Sequence, residues 1–311
     1  MNKIILFYKY VDIQYPKRIA KWQHKLCTEL GLTGRIIIAH EGVNITLGGS
    51  QESLDRYKKL MSENPLFDNI DFKESTGGAE CFPRLSIKIK REIVHLGIDP
   101  KKLTVKDGGI HLKPTQAHDL MKNAPKDLII FDTRNSYEWK IGTFLNAIKP
   151  NIQTFKELPG FIDSNEALFK DKQVLMFCTG GVRCERATAY LKTKGIAKEV
   201  YQIEGGIQRY AEQFPDGFFR GKNYVFDGRV AVAINDDILA QCELCAKPCD
   251  VYQNCLHARC NKHFIGCQHC VSTFENCCSK ECFNAIKQGA PKRPEFKTFN
   301  YQSADATRNS R

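Results

Sequence analysis

The sequence predicts an α/β chain in three parts: a ferredoxin-like N-terminal α+β domain, a second domain built on a parallel sheet, and a small Cys-rich module. Three observations carry this. The first 95 or so residues alternate strand and helix signals in the order βαββαβ, the split βαβ pattern. Residues 115–222 set short apolar strands between helical stretches, as a parallel sheet covered on both faces requires. Ten of the 14 cysteines fall between Cys242 and Cys282. The 311 residues suffice for about two ordinary domains plus extras.

In residues 1–95, Lys3 to Tyr10 reads as a strand. Pro16 opens a helix that runs to Leu30 and stops at Gly31, with proline at an early helical position. The β-branched run Arg35 to Ala39 is a second strand, and Glu41-Gly42 turns the chain into a third, Val43 to Leu47. Ser50 or Ser53 caps a helix to about Ser62. Phe72 to Glu74 and Leu85 to Val94 supply further strand material. Residues 96–114 read as a polar linker.

In residues 115–222, Thr115 caps a short helix to Lys122, and Leu128 to Asp132 is a buried strand ending in an acid. Tyr137-Glu138-Trp139 starts another turn of structure. Phe155 to Phe161 and Glu166 to Phe169 look helical, with Pro159-Gly160 as an interruption. Gln173 to Cys178 is a second buried strand, Cys184 to Lys194 a helix, Val200 to Ile203 a third strand, and Ile207 to Gln213 a last helix. Residues 223–290 hold the strand-like stretch Asn223 to Ile234 and the Cys-rich module. The polar tail, 291–311, shows no hydrophobic period and is expected to be disordered.

Hydrophobic content is 42% and charged content 26%, ordinary for a soluble globular protein. No apolar run approaches the ~20 residues needed to span a bilayer. The N-terminus is too short for a secretory signal, so a cytoplasmic protein is expected. Cysteines at this density without an export signal point to metal ligation or redox chemistry rather than to a disulfide scaffold. The formal net charge of +11 is compatible with a polyanionic partner.

The segment Val174 to Ala187 carries the chemistry. An apolar strand delivers Cys178 at its C-terminal end, Gly180 and Gly181 follow, and then a helix begins. Open α/β sheets bind ligands at that place. The two glycines can take backbone conformations closed to other residues. Loop N–H groups can therefore converge into a nest above the helix N-terminus, favouring negative charge. A cysteine there has a depressed pKa and acts as a nucleophilic thiolate. Thr179 and Val182 complete the loop, while Arg183 and Arg186 add positive charge. Cysteine phosphatases use a similar cradle, but their signature puts five residues between Cys and Arg. Here four separate Cys178 from Arg183, and the phosphatase position holds Cys184, which cannot grip a phosphate bidentately.

Cys178 to Arg183, with Phe131-Asp132-Thr133-Arg134, Tyr137-Glu138 and Glu204-Gly205-Gly206, resembles the rhodanese domain. The whole chain, over about residues 1 to 290, resembles the bacterial family of oxygen-dependent tRNA uridine hydroxylases. The matching stretches are Ile37 to Asn44, Cys178 to Glu185 and Tyr224 to Val232. The resemblance implies hydroxylation at ring position 5 of the wobble uridine, a tRNA partner engaged at its anticodon region, molecular oxygen as co-substrate and Cys178 as the active-site cysteine. By analogy with rhodaneses, Cys178 could carry a persulfide. The other readings are a sulfurtransferase, passing sulfur from thiosulfate or a partner to an acceptor, and an RNA-binding scaffold with an inert rhodanese domain. Protein partners are not indicated.

Cys184, across the loop, is either a resolving thiol for Cys178 or a helix-start cysteine packed on the sheet. Asp132, Arg134 and Glu138 read as supporting residues, through a structural salt bridge more readily than through catalysis. His40 and Glu41 read as a satisfied surface turn more readily than as contacts to RNA or to the active site. Cys242-x2-Cys245 and Cys267-x2-Cys270 have the spacing of tetrahedral zinc ligands. The segment is poor in large apolar residues, so a structural metal would replace a core. Disulfides, free thiols and an iron–sulfur cluster are the other readings there. The stretch Phe218 to Tyr224 interleaves basic and aromatic residues, as single-stranded RNA binding or a plain linking strand would. No haem, flavin or other organic cofactor signature is present.

Overall fold

A computed structural model describes residues 1–294, and the chain divides into two compact units. Residues 1–136 and 144–218 form the first, and residues 137–143 and 219–294 the second.

The first unit begins with β1 (Asn2–Tyr10), α1 (Pro16–Glu29), β2 (Thr33–Ala39), β3 (Gly42–Ser50), α2 (Gln51–Ser62), β4 (Lys73–Thr76) and β5 (Leu85–Ile89). The sheet order is β4-β1-β3-β2-β5. The first four strands run antiparallel to their neighbours, in the ferredoxin-like arrangement, and β5 adds an edge parallel to β2. The β1 alternation buries Ile5 and Phe7 beneath the helices with Ile36, Ile38, Ile45 and Leu47. Tyr8 and Tyr10 are then left for the other face. Ser50 caps α2 by accepting the N–H of Ser53. The strand expected from Leu85 to Val94 ends at Ile89, because Glu92 turns the chain by accepting the Leu96 and Gly97 amides.

The parallel sheet contains β6 (Ile110–Leu112), β7 (Leu128–Asp132), β9 (Gln173–Phe177) and β10 (Glu199–Ile203) in the order β6-β10-β9-β7. Around it run α3 (Pro114–Asn123), α5 (Leu158–Ser164), α6 (Glu166–Phe169), α7 (Val182–Lys194) and α8 (Gly206–Gln213), while the short α4 (Ser136–Trp139) belongs, after Ser136, to the second unit. The structure departs from the sequence expectation at four places. The polar linker holds β6, paired in parallel with Tyr201–Ile203 of β10. Thr115 is not the cap of α3, since Pro114 already occupies its first turn. Pro159 does not interrupt α5 but lies at its N-terminus, where a missing N–H costs nothing. Helix α7 starts at Val182 rather than Cys184, directly after Gly181 at φ +99°.

The second unit contains β11 (Phe219–Tyr224) and β12 (Ala231–Ala233), which share a sheet with β8 (Gly142–Phe144). The hairpin β13 (Tyr252–Asn254) and β14 (His263–Ile265) follows, then α9 (Gln268–Thr273) and α10 (Lys280–Lys287). Of the tail expected to be disordered, Lys292 bridges to His257 and the Arg293 amide bonds to the Leu256 carbonyl. Residues 295–311 lie outside the described residues. Among the described residues, no helix is long and apolar enough to cross a membrane.

Candidate active site and thiolate clusters

Strand β9 ends at Phe177, and the chain then makes the Cys178 to Gly181 loop before α7 begins. The loop is held by backbone bonds: the Ile207 amide donates to the Cys178 carbonyl at 2.9 Å, and the Gln208 amide to Thr179 at 3.1 Å. These place the N-terminus of α8 against the loop. Gly206 is required there. Its φ is +64°, and a Cβ would run into the Cys178 carbonyl and come within 2.8 Å of the Gly181 nitrogen.

Cys178 is fully buried. The Gly181 N–H donates to its sulfur at 3.2 Å. Burial alone would push the thiol up. The Cys184 thiol, the Arg183 guanidinium and the N–H groups of Arg183 and Cys184 outweigh it and bring the pKa down to about 5. Cys184 responds in the opposite sense: burial and the adjoining Cys178 charge raise it, so it stays a thiol and donates to the thiolate. Thr133 lies 3.7 Å from the Cys184 sulfur. Arg183 reaches Thr179 Oγ1 at 3.4 Å. A single charge-stabilised sulfur, cradled by amides at a strand–helix junction, is a nucleophile or a sulfur carrier.

The other predicted residues divide by role. Arg134 forks onto Asp132 through Nε at 2.9 Å and Nη2 at 2.7 Å, and its guanidinium lies over the Phe177 ring. This ion pair fixes the ends of β7 and β9 beneath the loop. Glu138 is fully buried, in the second unit. Arg186 is fully buried and holds the two parts of the first unit together. It donates to the carbonyls of Ile98 at 2.6 Å and Leu103 at 3.0 Å, and to Glu41 at 3.2 Å and Glu92 at 3.4 Å. Glu41 is therefore no surface turn residue: one carboxylate oxygen takes the Ile93 amide at 2.7 Å and the other takes Arg186. His40 does fit that description, exposed and bonded to the Ile13 carbonyl at 2.9 Å.

Sequence reasoning missed a polar hub beside the loop. Glu185, in the first turn of α7, accepts the Tyr8 hydroxyl at 2.8 Å, Gln202 Nε2 at 2.9 Å and His111 Nε2 at 3.0 Å. The hydrogen bond to Glu185 raises the His111 pKa. Burial opposes ionisation of Glu185, but His111, Gln202 and Tyr8 hold its carboxyl below the usual range. Tyr10 bonds the Val182 carbonyl at 3.3 Å. Strand β1 thus roofs the loop: Tyr8 and Leu6 face Gly181 and Gly180. Nothing local in a β-strand marks such tyrosines, since their partners are some 170 residues away.

In the second unit the sulfurs of Cys242, Cys245, Cys267 and Cys270 lie within 4.8 Å of one another. Cys245 and Cys267 are 3.6 Å apart, far beyond a disulfide bond of ~2.05 Å. A tetrahedral ion with zinc–sulfur bonds of ~2.3 Å sets its ligands about 3.8 Å apart, so the four fit a single ion. A multi-iron cluster would spread them more widely. A second cluster, Cys255, Cys260, Cys278 and Cys282, meets the same 4.8 Å limit. Along β11, Arg220 pairs with Asp237 and Lys222 with Asp250, so both cations that RNA binding there would use are engaged in ion pairs.

Three family models match in succession: the UPF0176 acylphosphatase like domain over residues 2–93, the Rhodanese-like domain over 113–213 and Rhodanase C-terminal over 220–283. A tRNA uridine(34) hydroxylase of Onion yellows phytoplasma (strain OY-M) is 38% identical, over 90% of this chain and 92% of its own. That of Corynebacterium jeikeium (strain K411) is 39% identical, over 90% and 94%. A rhodanese-related protein from Thermoplasma volcanium is 23% identical over 33% of this chain and 92% of its own, with a TM-score of 0.27. With about two-fifths of its residues shared along nine-tenths of its length, the chain belongs to the tRNA uridine(34) hydroxylase family.

Proposed function

We propose that the protein is an enzyme that hydroxylates uridine 34 of tRNA and that Cys178 is the group that engages the base. Full-length similarity to tRNA uridine(34) hydroxylases supports the reaction. The observation that carries the choice of residue is the amide-cradled sulfur, whose pKa of about 5 keeps it ionised at neutral pH. A thiolate of this kind adds to an electron-poor pyrimidine ring and makes ring position 5 electron-rich, the condition for that carbon to react with oxygen. Molecular oxygen is the co-substrate in this reading: one atom enters ring position 5 and the other leaves as water, the two electrons this requires coming from an external reductant. Cys184, as a retained thiol, orients and stabilises the charge at Cys178. Because Cys178 is fully buried, a base meets it only when the Leu6 and Tyr8 roof moves off the loop. A cytoplasmic location goes with a tRNA substrate in this reading.

Cys242, Cys245, Cys267 and Cys270 hold a structural zinc ion in this reading, reinforcing a small apolar cluster around Ile141 and Ile265.

Nucleoside analysis of tRNA from a strain lacking the gene, complemented with wild type or with Cys178→Ser, tests the reading. Wild type is expected to restore the hydroxylated base and Cys178→Ser to leave it absent. Full restoration by Cys178→Ser removes the cysteine from the chemistry. Cyanide-dependent conversion of thiosulfate to thiocyanate by a protein that leaves tRNA unmodified would make it a sulfurtransferase instead.

A further inference from the structure

We propose that Cys255, Cys260, Cys278 and Cys282 form a second single-ion tetrathiolate site, for zinc or a divalent ion of the same class, interleaved with the first. Spacing alone hid it. The pairs are separated by four and by three residues, and Cys249 and Cys277 lie among them as equally plausible partners. The fold sorts them. Cys255 follows β13 and Cys260 precedes β14, so both lie in the loop of that hairpin. Cys278 precedes the Ser279 cap of α10, and Cys282 lies in the helix's first turn, its N–H donating to Ser279 Oγ at 3.2 Å. The Cys260 and Cys278 sulfurs are 3.6 Å apart, and those of Cys278 and Cys282 3.9 Å apart. Both distances lie within ~0.2 Å of the tetrahedral edge of about 3.8 Å and well outside bonding range.

The eight cysteines alternate by pairs along the chain. Cys242 and Cys245 join Cys267 and Cys270 from outside the β13–β14 hairpin, and Cys255 and Cys260 join Cys278 and Cys282 from its loop. Each ion therefore closes a loop that contains one ligand pair of the other, a cross-brace. The apolar core agrees with a need for both. Around the second cluster the buried residues are Cys255, Phe264, Cys277 and Ile286, so half of that core is thiol. Unliganded, four converging thiols offer little packing energy, whereas an ion makes the same cluster a covalent-strength anchor. Cys249 and Cys277 remain outside both sets, as buried thiols.

The interleaving rests on the first site also holding an ion, and the experiment separates the two. The full-length protein is purified under reducing conditions and its metal content measured as isolated. Cobalt(II) is then exchanged in and followed by its thiolate charge-transfer absorption. The wild type is expected to carry two ions per chain and to take up cobalt to two equivalents, both with tetrathiolate intensity. Cys260→Ser/Cys282→Ser is expected to hold at most one ion, as is Cys245→Ser/Cys270→Ser. Wild type saturating at one equivalent overturns the second site if Cys245→Ser/Cys270→Ser abolishes that uptake. If Cys260→Ser/Cys282→Ser abolishes it instead, the second site stands and the first fails. Two equivalents retained by Cys260→Ser/Cys282→Ser also overturn the proposal. Should that variant not fold, the wild-type count and the absence of free-thiol reactivity at Cys260 and Cys278 until the metal is displaced decide it; rapid modification of both in the metal-loaded protein refutes it.

Discussion

Replacing Arg186 by methionine removes the cation that four acceptors share. The side chain has no exposed surface, and its loss leaves the Ile98 and Leu103 carbonyls without this donor and removes the counter-charge from Glu41 and Glu92. Breaking a buried ion pair from one side costs about 3–5 kcal/mol. Two deprived carbonyls add to this, though not additively, since all four acceptors belong to one network. A loss of at least about 4 kcal/mol follows, which for a unit of this size lowers Tm by about 8–16 °C. Glu41→Gln keeps the shape and the bond from the Ile93 amide but turns an NH2 donor toward Arg186, and is expected to cost about 2 kcal/mol. Its pH dependence has a definite sign. Burial raises the Glu41 carboxyl in the folded state, so the proton favours folding. The stability of wild type relative to Glu41→Gln is therefore highest below the ordinary carboxylate range and falls as pH rises through the folded value. Thermal and urea denaturation of the three proteins measures both quantities. Arg186→Met melting within about 2 °C of wild type would refute the claim that Arg186 ties the N-terminal sheet to α7.

Three further outcomes follow from the same geometry. Gly206→Ala forces a Cβ against the Cys178 loop at a positive φ, so tRNA hydroxylation is expected to fall by at least tenfold, with a loss of roughly 1–2 kcal/mol from backbone strain alone; unchanged turnover would show that the loop is not held by α8. Because the Glu185 hydrogen bond raises His111, its stabilising effect is full below the ordinary histidine range and disappears as pH rises through the raised value. His111→Ala is therefore expected to destabilise more at about pH 5.5 than at about pH 8.5, and equal losses in melting scans at both would contradict that. Chelation at elevated temperature is expected to unfold the second unit, read as lost protection in hydrogen exchange over residues 240–287, while the first unit stays protected; protection unaffected by metal removal would count against structural ions.

Much of the fold was legible because it is written in local patterns. The βαββ order of the first domain follows from β-branched runs and a helix bounded by Pro16 and Gly31, and the Cys178 loop from an apolar strand running into two glycines. Short and contingent elements were not legible. Strand β6 is three residues long and half exposed, with no period to detect, and exists because β10 offers it an edge. Pro159 reads as a breaker in sequence but as a helix start once Leu158 is seen to open α5. The site divides in the same way. Its nucleophile and backbone cradle lie within seven residues, whereas the roof and the tie depend on Tyr8, Glu41, Glu92 and His111, whose partners are 74 to 177 residues distant. The first thiolate set declared itself through repeated two-residue gaps, while the second needed the hairpin to bring its pairs together.

The proposed chemistry depends most on the charge state of one sulfur, that of Cys178. Thiolate absorbance of wild type minus Cys178→Ser, followed as a function of pH, reports it directly. A transition centred near pH 5, displaced upward in Arg183→Gln, is the predicted result. A transition at about pH 8 or higher would mean an ordinary buried thiol, and the proposed chemistry would lose its nucleophile.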